Sequence, residues 1–422
     1  MQRPQQIHWP SVGMFLVSGL GLIISLTATS GSLLLGLSSA FQGGSRYVEA
    51  LPFFSIAWMS GLVGLLMIPA VYYSLRRLFG KEMPGWRLPG GVRLASYFMV
   101  LWPFLLGLGQ LVNSVPELIP FVLPPINILV VAIPLWWFVE IGRNGLNSTD
   151  PQRTWGLASF SLEITPTVTI ILEFILLIVL GIVGVLWLYT QPGALEQISR
   201  LMTQLSNSQV DPEAILRILQ PYLQQPLVIL SILALEAGLI PLMEELLKPL
   251  AVWILVWRRL TPADGFVAGL ICGSAFGLIE SLGNLASLSG SSWIVFVLGR
   301  TGTGLLHTVG AGLVGWGLAS AWRERDYLKL LLNYLTAASL HGLWNIFALL
   351  SGLESFFTSA PKVQNMEVFS RLGQIGPLVL GGLIVVLFLI LIGSNRRLRT
   401  SYFSAASDNL EANPPPSASQ QL

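Results

Sequence analysis

Charge is what this sequence of 422 residues lacks most. Asp, Glu, Lys and Arg together make up 10% of it, against about 25% in an ordinary soluble domain. So few charges cannot cover a water-facing surface, which excludes a soluble globular fold. The 23 basic and 21 acidic residues leave a net charge of +2, which gives no case for nucleic-acid binding. The single cysteine, Cys272, excludes a disulfide framework and a Cys-based zinc site. Histidine is scarce too, at three residues, so the places where it occurs carry information. What the chain has instead is apolar residues, 53% of the total, with a mean hydropathy of +0.70. They come in long continuous runs, and about 20 residues suffice to cross a hydrocarbon core of about 30 Å. Continuous rather than alternating runs exclude an outer-membrane barrel. The fold class is therefore all-α: a polytopic transmembrane helical bundle.

Apolar runs between charged or Pro/Gly-rich breaks give about ten spans, near 11–38, 51–75, 94–113, 118–141, 164–190, 226–257, 265–288, 293–321, 330–352 and 374–394. Pro103, Pro116, Pro120, Pro124, Pro125 and Pro134 are expected to break or kink the third and fourth. Every second connection is basic, beginning with Arg76, Arg77, Lys81, Arg87 and Arg93 and ending with Arg396, Arg397 and Arg399. The positive-inside rule then puts both termini in the cytoplasm. The first run reads as a retained signal anchor. Residues 1–190 form an N-terminal group of about five spans, 226–352 a four-helix core, and 353–400 the last loop and final span. The Pro/Ser-rich tail 401–422 reads as disordered and cytoplasmic. Between the halves, 191–225 reads as an amphipathic helical segment on the outer face, with Leu195, Ile198, Leu201, Met202 and Leu205 at helical spacing and Asp211-Pro212-Glu213 as a helix start.

The unusual chemistry lies in 226–352, whose spans hold Glu236, Glu244, Glu245, Lys248, Glu280, His307 and His341. A charge at a helix centre costs about 2.5–3.5 kcal/mol on insertion scales, so ionisable groups there point to function. Counting from the cytoplasmic end of each span at about 1.5 Å per residue puts Glu244, Glu280, His307 and His341 at roughly 18–24 Å, one shared layer. Gly265, Gly269, Gly273 and Gly277 form a ladder whose mean direction coincides with that of Glu280 at about 100° per residue, so Glu280 faces a neighbouring helix. The other three groups also lie on stripes of small residues. Elsewhere, Glu140 is expected to reach the interface, Glu173 to lie deeper, Arg300 to anchor an outer helix end, and Glu236 to be structural.

Two carboxylates and two imidazoles meeting in a water-accessible pocket support hydrolysis in two ways. In one, Glu280, His307 and His341 hold a zinc-like ion and another carboxylate acts as base. In the other no metal is needed: a glutamate activates water directly, and the imidazoles with Asn345 stabilise the oxyanion. Lys248, one turn after Glu244, would give electrostatic support.

The motifs Glu244-Glu245-Leu246-Leu247-Lys248, Phe276-Gly277-Leu278-Ile279-Glu280, Leu306-His307 and His341-Gly342-Leu343-Trp344-Asn345 resemble the PrsW family of intramembrane proteases. More distantly they are similar to the CAAX prenyl endopeptidase superfamily, but endings in Lys248 and Glu280 favour the PrsW branch. The resemblance implies a bacterial inner-membrane protease that cuts membrane-anchored substrates such as anti-sigma factors. It also implies Glu244 and Glu245 as paired catalytic carboxylates, with Glu280, His307 and His341 completing the site. Two rival readings remain: an ion- or proton-coupled transporter, and an inactive family member that binds membrane proteins without cutting them.

Overall fold

The computed structural model describes residues 8–41, 47–81, 90–146, 151–191, 193–207, 215, 218–221, 225–258, 260–354 and 366–412. Among these there is no strand. The helices are α1 (Trp9–Phe41), α2 (Leu51–Leu78), α3 (Val92–Val112), α4 (Ile119–Arg143), α5 (Pro151–Tyr189), α6 (Ala194–Asn207), α7 (Pro226–Ala234), α8 (Ile240–Leu247), α9 (Leu250–Leu255), α10 (Pro262–Leu285), α11 (Trp293–Glu324), α12 (Tyr327–Gly352) and α13 (Met366–Ala412). Nine helical stretches among the described residues are long and apolar enough to cross a membrane. The ninth expected span is α12, which is long enough but less apolar because it carries Lys329, Asn333, His341 and Asn345. The protein is a multi-pass, all-α membrane protein.

Four expectations change against these helices. The prolines do not interrupt α3 or α4, which run through Pro103 and through Pro124, Pro125 and Pro134; neighbouring helices tolerate such prolines in membrane segments. Helix α5 starts at Pro151, well before 164. Its first half is polar, yet Gln152, Ser159, Ser161 and Thr165 are buried against protein. Helix α13 continues to Ala412, where an unfolded tail from Ser401 was expected. No proline falls between Ser401 and Ala412 to stop it; 413–422 lie outside the described residues. In 191–225, α6 is the amphipathic helix expected, and Asp211-Pro212-Glu213 lies outside the described residues.

The fourth concerns the span 226–257, which holds as one apolar stretch, Pro226–Leu255, but not as one regular helix. A π-helical turn, Leu235–Leu239, separates α7 from α8, and a break at Lys248-Pro249 separates α8 from α9. Pro241 explains the first irregularity. The Ile240 amide donates to the Leu235 carbonyl, a five-residue step. The next amide in that pattern would be that of residue 241, and proline has none. The Glu236 carbonyl is thereby left for a donor from another helix.

The chain divides into two compact units, one of Met1–Pro166, Lys248–Ala337 and Ile384–Leu422, the other of Thr167–Leu247 and Ala338–Leu383. In the first, α10 is the central helix. A capping box starts it: the Asp264 amide donates to Thr261 Oγ1 (3.1 Å) and the Thr261 amide to Asp264 Oδ2 (3.2 Å), with Pro262 at the first helical position. Phe266, Leu270, Cys272 and Leu285 are fully buried. The glycine ladder lies against α11. A methyl on Gly265 would overlap the Gly315 carbonyl, on Gly269 that of Ala311, and on Gly273 that of His307. This is the small-residue contact by which membrane helices approach closely. Trp293 of α11 is fully buried and donates its indole N–H to Asn127 Oδ1 of α4 (2.9 Å). In the second unit, Ile229, Leu350, Met366 and Phe369 form a separate apolar core. The second half of α5 presents Ile171, Phe174, Ile178, Ile182 and Leu186 outward, as a lipid-facing helix does.

Candidate functional site

Among the described residues of 226–352, the buried ionisable groups of the spans fall into two clusters, one in each unit. The first lies where α8 meets the second half of α12, and three contacts fix the register. Asn345 Nδ2 donates to the Glu236 carbonyl (2.7 Å), the acceptor that Pro241 left over. Gly342 sits so close to the Ala237 carbonyl that any side chain there would overlap it. His341 Nδ1 lies 2.9 Å from Glu245 Oε1. On its other side, His341 Nε2 is 3.9 Å from Glu244 Oε2. All three groups are buried: Glu244 is 9% exposed, Glu245 0% and His341 3%. A carboxylate can only accept, so with Glu245 ionised the Nδ1 carries the proton and the Nε2 lone pair is directed at the Glu244 side.

Helices α10 and α11 build the second cluster in the other unit. The ladder spacing that brings Gly273 against His307 also brings Glu280 within reach of the imidazole, and His307 Nε2 is 2.5 Å from Glu280 Oε2. Arg300, two turns earlier on α11, reaches the same oxygen at 2.9 Å and donates its Nε–H to Ser281 Oγ (3.2 Å). With Glu280 ionised opposite the always-charged guanidinium, Nε2 of His307 is the donor to it. The Phe276 ring packs edge-on against the imidazole, with centroids 5.4 Å apart. The Lys248 ammonium lies 5.2 Å from the Phe276 ring centroid, and Lys248 is fully buried.

Several residues differ from their sequence reading. Arg300 was expected at the membrane surface; it is instead the ion-pair partner of Glu280. The signal was available, since Arg300 and His307 share one helix face, but its position near the helix end concealed it. Asn345, for which the sequence allows either an oxyanion contact or a helix–helix hydrogen bond, donates one Nδ2 hydrogen to the Glu236 carbonyl. Glu140, expected near the interface, is buried and bonded to Arg143 (Nε to Oε2, 3.0 Å) and to the Trp136 indole (3.1 Å). Partners one turn away on either side make burial tolerable.

Residues 214–369 match the family described as PrsW family intramembrane metalloprotease. The match takes in little more than a third of the chain, and it contains both clusters and all four motifs. No curated protein and no solved structure matches the chain.

Proposed function

We propose that this PrsW-like region makes the protein an intramembrane peptidase, hydrolysing peptide bonds of membrane-anchored protein substrates, with Glu244, Glu245, Glu280, His307 and His341 as the groups that carry the reaction. The observation behind this reading is the buried Glu244–His341–Glu245 arrangement in a stretch that matches a protease family. A histidine held by one carboxylate and aimed toward a second, all beneath apolar surroundings, has a high desolvation cost unless it is used. Matched depth in the sequence and the reach of the family match support joint action of the two clusters on one peptide bond.

The chain's own groups divide the work. Glu244 takes a proton from water as the water oxygen attacks the peptide carbonyl carbon. That proton passes to the amine nitrogen as the C–N bond breaks. Glu245 fixes the tautomer and direction of His341, and Arg300 with Glu280 does the same for His307. Burial keeps bulk water from the reacting atoms.

The donor set suits a zinc-like ion, since each imidazole has one nitrogen tied to a carboxylate, the arrangement that orients metal-binding histidines. In the first cluster, His341 Nε2, on the side facing Glu244, is the atom that would hold it. Glu280, whose Oε2 is already shared by His307 and Arg300, orients rather than ligates. Bound there, such an ion would lower the pKa of a water molecule. We further propose a bacterial inner-membrane location with both termini cytoplasmic, and substrates of the anti-sigma-factor type. The test uses a membrane-anchored reporter in proteoliposomes: Glu244→Gln and His341→Ala each abolish cleavage while the protein stays inserted. Unchanged cleavage in both would remove the proposal, and ion flux lost in the same variants would replace it with transport.

A further inference from the structure

Within the first unit, α2, α4, α5 and α10 line an open-sided cavity of about 630 Å³, inside the range of small-molecule sites, roughly 300–1,000 Å³. Its lining is graded. Ala132, Leu135, Leu162 and Leu278 make one end apolar, whereas Arg143, Glu140 and Thr154 lie at the other, beside Trp136 and Trp155. From Ala132 to Arg143 along α4 is about 16 Å at 1.5 Å per residue. The cavity is thus elongated, greasy along most of its length and ionic at one end, and its tryptophans are of the residue type enriched at membrane interfaces.

We propose that this cavity binds one phospholipid, with an acyl chain along the apolar wall and the phosphate on Arg143. Of the ion pair, the guanidinium is the accessible member: its side chain is 32% exposed, that of Glu140 5%. Glu140 occupies Nε and Nη2 of Arg143, so it holds the guanidinium in place with Nη1 turned away from the pair. An oxyanion is the ligand such a group selects, and basic pockets between membrane helices take lipid headgroups. The site is independent of the catalytic reading.

Native mass spectrometry on the delipidated full-length protein tests it, with phosphatidylglycerol and the diacylglycerol of the same chains as probes. One phosphatidylglycerol per protein is expected, held at least tenfold better than diacylglycerol. The double substitution Glu140→Gln with Arg143→Gln removes both charges together, so neither is stranded, and it brings phosphatidylglycerol down to the diacylglycerol level. Ala158→Trp, from the α5 wall, excludes both lipids; Ala132→Phe on the α4 wall serves if that variant fails to fold. Equal retention of the two lipids by the wild type, a surviving preference in the double variant, or full retention in the filled variants would each overturn the proposal.

Discussion

The α10–α11 contact makes a graded stability prediction on a single helix face. A methyl on Gly273 would overlap the His307 carbonyl oxygen and stand 2.8 Å from Ala311 Cβ, where carbon atoms prefer about 3.5–4.0 Å. The first obstacle is backbone and cannot rotate aside, so the two helices must separate. Overpacking of this kind costs about 1–3 kcal/mol, and a Gly-to-Ala gain in helix propensity of about 1 kcal/mol offsets part of it. Gly273→Ala is therefore expected to lose up to about 2 kcal/mol, and Gly269→Ala, which meets the Ala311 carbonyl in the same way, a similar amount. Gly277→Ala is the control on the same ladder. Its methyl would touch His307 Cδ2 at 3.4 Å and Gly304 Cα at 3.6 Å, ordinary contacts, so the propensity gain dominates and stability holds or rises by up to about 1 kcal/mol. Reversible unfolding in mixed micelles of rising SDS fraction, followed by circular dichroism, measures all three. Gly273→Ala at or above wild-type stability, or Gly277→Ala as damaged as Gly273→Ala, would refute the close-contact argument.

Three further outcomes follow from the clusters and the α11–α12 turn. Glu245→Gln keeps an oxygen that can accept from His341 Nδ1, so cleavage of the membrane-anchored reporter should fall about 10–100-fold, whereas Glu244→Gln leaves none. Arg300→Gln should lower kcat at least tenfold with KM unchanged, because it frees Glu280 without touching substrate, and Arg300→Lys should recover part of the loss by restoring the charge; a KM effect alone would contradict a positioning role. Asp326, between α11 and α12, accepts the Lys329 amide (3.0 Å), and that hydrogen bond holds its carboxyl below the usual carboxylate range. A depressed folded-state value means its contribution is present at neutral pH and disappears as pH falls through that value. The stability gap between wild type and Asp326→Ala should accordingly close on acidification, and a gap independent of pH would contradict the assignment.

Much of this was legible in the sequence, for physical reasons that apply unevenly. Run length reveals membrane helices because the bilayer imposes a fixed thickness, and the α10 ladder was visible because only glycine admits another backbone so closely. That Glu280 faces a neighbouring helix followed from the same periodicity, although its partner there, His307, did not. The roles of Arg300 and Asn345 were hidden because each depends on what lies across an interface: an anion in one case, an orphaned carbonyl in the other. Prolines misled most. In α4 they sit inside an unbroken helix, while Pro241, which raised no suspicion, shapes the turn at Leu235–Leu239. The grouping of segments into units was likewise beyond a linear reading, since the chain returns to each unit after leaving it.

That turn has a consequence for how the acids are aimed. Winding Leu235–Leu239 one residue wider than its neighbours resets the helical phase for everything that follows, by about 100°. A wheel drawn through α7 and continued into α8 therefore assigns the wrong side to Glu244 and Glu245. Deleting one residue from the turn would leave both glutamates in the chain yet swing them away from His341, whereas swaps of residue type that preserve the length would not. Spacing, rather than side-chain identity, is what this stretch of sequence has to conserve.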